Sequence, residues 1–376
     1  MVKKLQALRT SFMPESFDSK NVTLEPTPWT EISDPSVLAK NPLVSVKMIT
    51  YNHAPYIAQA IEGVLQQKTS FPVELIIGED CSTDGTREIV LNFQQKYPNV
   101  IRVITSDQNV GMKKNSKRLR NTFRGKYLAY CEGDDYWHDP YKLAKQVYYL
   151  ESHPECGLIY SSYDVHHCKQ NIIIKDFIKY RKWKIIENPK LSDYFVELKP
   201  IGGARVGIST CTVMVRRNLY EQVIESDPYL HGSEHFLMGD IQLWAELINV
   251  TSIHFIPESM ATYRLSEESA TRSKDRGKVF RLRVSGAEIM IYLCKKHNLP
   301  SNIRSRFEVS RDMNLLHVAV ETRNSELAEE LRKAKGRWNY MEWLRYFSAR
   351  NVLFYLIYRT AVKFRDITNS INTDWK

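Results

Sequence analysis

From residue 43 onward the chain alternates between two hydrophobic rhythms. "LVSVKMIT" (43–50) is a strand-like apolar run, and "YIAQAIEGVLQQ" (56–67) sets Ile57, Ala60, Ile61, Val64 and Leu65 at the spacing of one helix face. "VELIIGED" is the next strand, "TREIVLNFQQKYP" the next helix and "VIRVITS" a third strand. A basic helix, "NSKRLRNTF", leads to a fourth strand, "KYLAYCEGDD", and then to "YKLAKQVYYLESHP", a helix closed by proline. Strands alternating with helices of this length form parallel βαβ units. The expected fold is therefore α/β, a Rossmann-like, mostly parallel sheet flanked by helices on both faces.

The flanks read differently. Residues 1–42 are polar and punctuated by Pro26, Pro28, Pro35 and Pro42, which predicts an arm on the surface. After "CGLIYSSYDV" (156–165) the alternation breaks, and residues 168 to 200, mixed and rich in Lys and Ile, read as an insertion. "GISTCTVMVRR" (207–217) returns as a strand, followed by the helical "MGDIQLWAELINV" (238–250) and the strand "SIHFIPESMATYR". Beyond about residue 277 the pattern is helical to the end.

Composition narrows the classes. The net charge of +10, from 53 basic and 43 acidic residues, favours anionic partners without choosing among them. No helix-turn-helix, RNP or zinc pattern accompanies that charge, so a nucleic-acid partner is not expected. The six cysteines, Cys81, Cys131, Cys156, Cys168, Cys211 and Cys294, lie far apart with no C-x-x-C pair. This spacing excludes a zinc ribbon and predicts reduced thiols in a cytoplasmic protein. "HGSEH" (231–235) lacks the H-E-x-x-H order of a zinc site. The N-terminal "MVKKLQALRTSFMPESF" has no continuous apolar core of the kind a secretory signal needs. No stretch approaches the roughly 20 apolar residues of a membrane span.

In parallel sheets, ligands bind outside the carboxyl ends of the strands. The polar motifs sit at those ends: Thr50, Tyr51 and Asn52 after the first strand, Glu79, Asp80 and Asp84 after the second, and Glu132, Gly133, Asp134 and Asp135 after the fourth. Three acids within four positions at the exit of a core strand repel one another and are costly to desolvate. A shared rim gives them a common purpose. Taken alone, "STDGT" is a turn opening a helix.

"PLVSVKMITYNHAPYIAQAIEGVLQQ", "LIIGEDCSTDGTREIV" and "GKYLAYCEGDDYWHDPYKLAKQ", in that order and spacing, resemble the family 2 glycosyltransferases of the GT-A fold. The similarity is greatest to the bacterial branch that writes its metal motif EGDDYW, and it runs from about residue 42 to 265. It implies a GT-A domain over 43–270, with the arm of 1–42 before it and a helical C-terminal region, 271–376, outside the resemblance. It also implies that Thr50, Tyr51, Asn52, Glu79, Asp80 and Asp84 hold the nucleobase and ribose of a nucleoside-diphosphate sugar, with UDP the first nucleotide to consider. The family's D-x-D motif falls on Glu132-Gly133-Asp134, with Asp135 following. Hard oxygen ligands of this kind suit Mn²⁺ or Mg²⁺ bridging the two phosphates, and the resemblance gives Asp134 and Asp135 as the ligands. Asn115 is implied beside the diphosphate, and Arg264 is implied as a further phosphate contact. "MGDIQLW" resembles the acidic motif under the acceptor, which makes Asp240, at a helix N-terminus, the implied catalytic base.

Three departures stand out. The first D-x-D position is Glu132, the usual Glu-Asp pair is Gly239-Asp240, and Ser266 stands where many relatives place a histidine ligand. The expected activity is inverting, metal-dependent transfer of a sugar to a glycan or lipid-linked acceptor in bacterial surface-polysaccharide assembly. The alternative is a catalytically degenerate GT-A-fold binding or scaffold subunit, against which the intact EGDD and Asp240 argue. Trp137 and Trp244 suit either the core or an acceptor wall. The tail, 336–367, mixes aromatics with Arg337, Arg345, Arg350, Arg359, Lys363 and Arg365. Such a helix either lies on the inner face of the plasma membrane or packs on protein.

Overall fold

The computed structural model describes residues 27–195, 203–266, 275–335, 337–360 and 362. Parts of the expected arm (1–26), insertion (196–200) and tail (336, 361 and 363–367) lie outside the described residues. The chain divides into two compact units, Met1–Ser266 and Glu267–Lys376.

In the first unit the strands, in chain order, are β1 (Thr30–Ile32), β2 (Val44–Thr50), β3 (Val73–Glu79), β4 (Ile101–Thr105), β5 (Tyr127–Tyr130), β6 (Tyr136–Trp137), β7 (Cys156–His167), β8 (Ile172–Ile174), β9 (Lys184–Ile185), β10 (Ala204–Arg205), β11 (Met214–Arg216) and β12 (Ser252–Leu265). The main sheet runs β1-β4-β3-β2-β5-β11-β7-β12-β6, with β8 on the side of β7. Strands β4, β3, β2 and β5 are mutually parallel. β11 is antiparallel to both neighbours, and β12 runs parallel to β7. The chain steps outward from β2 to β3 and β4, then returns to the other side of β2 as β5. The crevice at the carboxyl ends of β2 and β5 is thus the topological switch point. Pairing of β12 with β7 is interrupted by register shifts at Ser252/Ile253, Ile256/Ser259 and Ser259/Ala261.

Helices α1 (Ile57–Leu65), α2 (Thr86–Lys96) and α4 (Lys142–Ser152) cover one face, where Ile57, Ile61, Val90 and Leu143 pack with Val46 and Met48. The short α3 (Met112–Arg118) precedes β5. The other face is closed by α5 (Arg217–Ser226) and α6 (Asp240–Val250), through Tyr220, Val223, Leu243, Trp244 and Leu247. With both faces covered, the central strands are apolar on both sides, which explains their continuous rather than alternating runs. Gly63 marks a close approach: a Cβ there would lie 2.7 Å from the backbone oxygen of Trp137.

The amino ends of the strands are tied by buried charge. Glu74 is fully buried and accepts from Ser45 Oγ, from Arg102 Nη1 at 3.1 Å and from Arg124 Nε at 2.7 Å. Arg102 in turn reaches Glu31 on β1 at 2.7 Å. A hollow of about 580 Å³ opens at this end, lined by Lys40, Leu43, Arg124, Lys126, Arg216 and Arg217. Arg124, Lys126 and Arg217 already have carboxylate partners in Glu74, Glu151 and Glu221.

The second unit consists of α7 (Arg276–Lys296), α8 (Ser301–Glu321), α9 (Ser325–Ala334) and α10 (Tyr340–Arg350), with residues 352–360 also helical. Asn339 and Glu342 form a reciprocal capping box at the start of α10. Arg350 pairs with Glu329 at 3.0 Å and Arg359 with Glu321 at 3.1 Å. These two tail arginines are therefore engaged within the unit.

Lys142 is an outlier in the core. It is fully buried, its Nζ bonds the Gln146 side-chain oxygen at 2.8 Å and lies 4.2 Å from the Trp137 ring centroid. Burial pushes its amine down to about 7. The unfolded chain, with an ordinary amine, binds a proton that the fold refuses between about pH 7 and 10, so this group makes stability rise with pH across that window. We expect Lys142→Met to flatten the rise in denaturation midpoint between about pH 7 and 9, followed by urea unfolding at a series of pH values. An unchanged slope would show that Lys142 keeps its proton in the fold.

Candidate active site

The acidic turn continues the pairing of β5 along β2: Cys131 N–H donates to Lys47 O at 3.1 Å and Gly133 N–H to Ile49 O at 3.0 Å. Gly133 is held so closely that a Cβ would lie 2.7 Å from the Thr50 side chain, so this position requires glycine. The turn is then clasped to the end of β12. Asp135 Oδ1 accepts the Arg264 backbone N–H at 2.8 Å, and Arg264 Nη1 donates to Asp134 O at 2.9 Å. Arg264 Nη2 also donates to Gln59 on α1, and the guanidinium lies 4.4 Å from the Tyr136 ring centroid and 5.2 Å from that of Tyr56.

The three acids therefore differ. Asp135 is 3% exposed, and burial, with Asp134 and Glu132 nearby, pushes its carboxyl well above the usual range. Its oxygen is committed to the Arg264 amide, so the expectation of Asp135 as a metal ligand is replaced by a role in holding the turn. Glu132 leaves one carboxylate oxygen buried without a hydrogen-bond partner. Burial first, and Asp134 second, push it up to about 7, against the pull of Lys47. Asp134, like Glu132, is partly exposed.

Sequence reasoning missed Lys47. It projects from β2 beneath the turn, donates to Ser116 Oγ at 2.6 Å and lies 5.3 Å from the Tyr130 ring centroid. Burial, then Arg120, lower its amine to about 8, while Glu132 and Asp240 act the other way. The available signal was a lysine inside the otherwise apolar "VSVKMIT".

The residues expected to contact the nucleoside are brought to one edge of the sheet, mostly by bonds to neighbouring loop residues. Glu79 is fully buried and accepts from Ser82 N–H at 2.7 Å, Cys81 N–H at 3.2 Å and Thr105 Oγ at 2.9 Å, with Arg87 at 3.3 Å. Asp80 is 1% exposed and accepts from the amides of Val110 and Gly111, both at 2.9 Å. Burial raises its carboxyl above the usual range. Asp84 ties Thr86 and the Ala54 N–H, and Asn52, at φ 53°, accepts from Thr83 N–H at 2.9 Å. Thr50 is 2% exposed and its hydroxyl meets His53 Nδ1 at 3.2 Å. Tyr51 presents an open ring, 43% exposed, and Asp84 is also exposed.

Two expectations are corrected. Asn115 is 1% exposed, donates to Gly78 O at 2.8 Å and accepts from Arg118 Nε at 3.0 Å, so it braces α3 on β3 instead of facing a diphosphate. Arg264 is 3% exposed and spent on the clasp, so it is not a free phosphate contact. Trp137 and Trp244 are both core residues, each 3% exposed.

Asp240 opens α6 and is exposed. Its Oδ2 accepts from Thr210 Oγ at 3.2 Å and its Oδ1 from Ile241 N–H at 2.9 Å. Its charge raises the Glu132 carboxyl as the smallest of that group's contributions, so base and acidic turn share one electrostatic neighbourhood. No three His, Cys, Asp or Glu side chains among the described residues converge into a metal cage. The part-exposed Asp134 and the unpartnered Glu132 oxygen are hard donors, and they fit a cation that takes its remaining ligands from substrate phosphates, as Mg²⁺ commonly does.

The sheet is parallel at its centre and carries this acidic rim at the carboxyl ends of β2 and β5. Residues 45–223, a little under half of the chain, match the family model described as Glycosyl transferase family 2. An uncharacterised protein of Mycobacterium tuberculosis is 36% identical over 229 residues, 59% of this chain and 58% of its own. The chain thus spans little more than half the length of that relative. TuaG of Bacillus subtilis, named for teichuronic acid biosynthesis, is 28% identical over 62% of this chain and 83% of its own. A mannosyltransferase structure from Pyrobaculum calidifontis aligns with TM-score 0.47 and 16% identity, over 93% of this chain and 91% of that one.

The Asn115 assignment is testable. Asn115→Ala leaves Gly78 O and Arg118 Nε without their partners, at about 1–3 kcal/mol for an unsatisfied buried group. We expect a lower urea midpoint and an unchanged Kd for UDP by calorimetry. A loss of UDP affinity without a loss of stability would restore the diphosphate role.

Proposed function

We propose that this protein is an inverting, metal-dependent glycosyltransferase that uses a nucleoside-diphosphate sugar, with a UDP-sugar as the first donor to test. The observation that carries the reading is the shared rim: a part-exposed Asp134, a Glu132 with an unpartnered oxygen, and Asp240 within electrostatic reach of Glu132. Mn²⁺ or Mg²⁺, held by Asp134 with Glu132 beside it, would supply charge neutralisation for the departing diphosphate. Tyr51 offers its exposed ring to the nucleobase, and the stitched loops of 50–54 and 79–86 fix its position. Thr210 and the Ile241 amide orient the Asp240 carboxylate, which takes the proton of the acceptor hydroxyl. That oxygen attacks the anomeric carbon as the bond to the diphosphate breaks, so configuration inverts in one displacement. Similarity to TuaG supports a glycan or lipid-linked acceptor in bacterial surface-polymer synthesis. A degenerate binding subunit would have no reason to keep an oriented Asp240 opposite an acidic turn.

The test is UDP release and product formation from a donor panel, with and without Mn²⁺. Asp134→Asn should abolish transfer at unchanged thermal stability. Asp240→Asn should slow it by roughly 10²–10⁴ while donor affinity by calorimetry stays near wild type. Retained anomeric configuration by proton NMR, or loss of donor affinity in Asp240→Asn, would refute the assignment.

The second unit supports peripheral membrane contact, on the cytoplasmic side in this reading. Among the described residues no helix is long and apolar enough to cross a membrane. Tyr340, Trp343, Val352, Leu353, Leu356 and Ile357 are all exposed. Aromatic and aliphatic side chains on a basic helix suit a lipid headgroup layer. With Arg350 and Arg359 held by carboxylates, the apolar side chains carry most of the attraction. We expect sedimentation with anionic liposomes that persists in part at high salt and is lost in Leu353→Glu/Leu356→Glu with the thermal midpoint retained. Equal sedimentation of that variant would remove the lipid role.

A further inference from the structure

The segment after β7 gathers two cations that the proposed reaction does not use. Arg181 follows the short helical turn Phe177–Tyr180, and Arg205 lies in β10, which pairs in parallel with β9 in a separate two-stranded ribbon. That pairing sets Arg205 opposite Ile185 and brings both arginines onto one indole. Arg205 Cζ lies 3.7 Å from the Trp183 ring centroid, and Arg181 Cζ lies 5.6 Å from the same ring and 5.5 Å from that of Phe177.

Among the described residues no ion pair reaches Arg181 or Arg205, whereas Arg102, Arg124 and Arg217 each have one. In both Arg181 and Arg205 the Nε is buried with no hydrogen-bond partner. The groups closest to Arg205 electrically are the tyrosines 163, 160 and 194 and the like charge of Arg181, and burial lowers its affinity for its own proton. Two partly buried cations on one aromatic ring with unsatisfied donors are unfavourable to the fold itself, and an anion relieves both the repulsion and the empty donors.

Their place relative to the base is set by the chain. The Tyr194 hydroxyl feels the Asp240 carboxylate and Arg205 together, so both charges lie near it. The turn Leu191–Tyr194 packs on α6, which Asp240 opens. Arg205 is five residues before Thr210, whose hydroxyl donates to Asp240, so the backbone separation is at most roughly 17 Å. A short length of glycan spans that distance.

We infer that Arg181 and Arg205, stacked on Trp183, form an acceptor subsite for an anionic group, phosphate or carboxylate, carried near the hydroxyl that Asp240 deprotonates. The inference rests on the transferase reading for its acceptor side, and on the unpaired arginines for its charge preference. Planar guanidinium forks bind either anion bidentately, so the two sources share one chemistry.

The test has a binding arm and a transfer arm. Full-length protein saturated with UDP is titrated with inorganic phosphate and, separately, with glucuronate, followed by tryptophan emission with Trp183→Phe as the signal control. Saturable binding of at least one anion is expected in wild type, weakened by roughly tenfold or more in Arg181→Gln/Arg205→Gln. No saturable response in wild type, or equal binding by the double variant, overturns the inference. In the transfer arm the double variant, checked for an unchanged thermal midpoint, is compared on matched neutral, phosphorylated and uronate-bearing acceptors. KM for the charged acceptor should rise by roughly tenfold, with kcat, donor KM and the neutral acceptor unchanged. Equal losses on neutral and charged acceptors would mean a structural role and refute the subsite. If wild type transfers from no donor, the transferase reading fails, and the anion titration still decides the fate of the subsite.

Discussion

The clasp between Arg264 and the acidic turn fixes the rim on which everything else depends. Asp135 receives the Arg264 amide, Arg264 returns a bond to Asp134 O, and the same guanidinium reaches Gln59 on α1. Three segments far apart in sequence are joined in one buried hydrogen-bonded knot. Removing either side would leave a buried polar group unsatisfied, at about 1–3 kcal/mol. The geometry also separates the acids of the turn: Asp135 is buried against its structural partners, while Glu132 and Asp134 keep part of their surface open.

The two ends of the sheet divide the work. At the amino ends Glu31, Arg102, Glu74 and Arg124 form a chain of ion pairs across β1, β4 and β3. At the carboxyl ends the acids are satisfied mainly by backbone amides of neighbouring loops. Those bonds order the loops 50–54, 79–86 and 109–111 around the switch point without neutralising the rim. The polar hollow at the amino ends is therefore an outcome of sheet assembly, and the chemistry gathers at the other edge.

Much of this was legible in the sequence. The alternation of strand and helix through residue 152, the strand-end position of each polar motif, and Asp240 at the head of a helix all follow from period and spacing. The antiparallel β11 between β5 and β7 was not, because periodicity reports that a strand exists and not which neighbour it chooses. Motif position also could not reveal saturation. Asn115 and Arg264 stand where the resemblance puts them, yet their hydrogen-bonding capacity is consumed by Gly78, Arg118, Asp134 and Gln59, partners set by tertiary packing. Lys47 escaped notice for the opposite reason: a lone cation in an apolar strand gives no period, and its meaning appears only when Glu132 and Asp240 arrive from elsewhere.

The interrupted pairing of β12 with β7 carries a consequence for how this chain can change length. Side chains alternate faces along a strand, so each unmatched residue reverses the facing of all that follow. Between Ile256 and Ala261 the register slips twice before Arg264 comes opposite His166. Pro257 and Glu258 are exposed and look like a place where a loop could grow or shrink freely. Removing or adding a single residue there would turn Arg264 to the other face of the sheet and open the knot a dozen ångströms or so downstream. This exposed stretch is therefore free to vary in residue type and rigid in number, and only changes of two residues at a time preserve the phase.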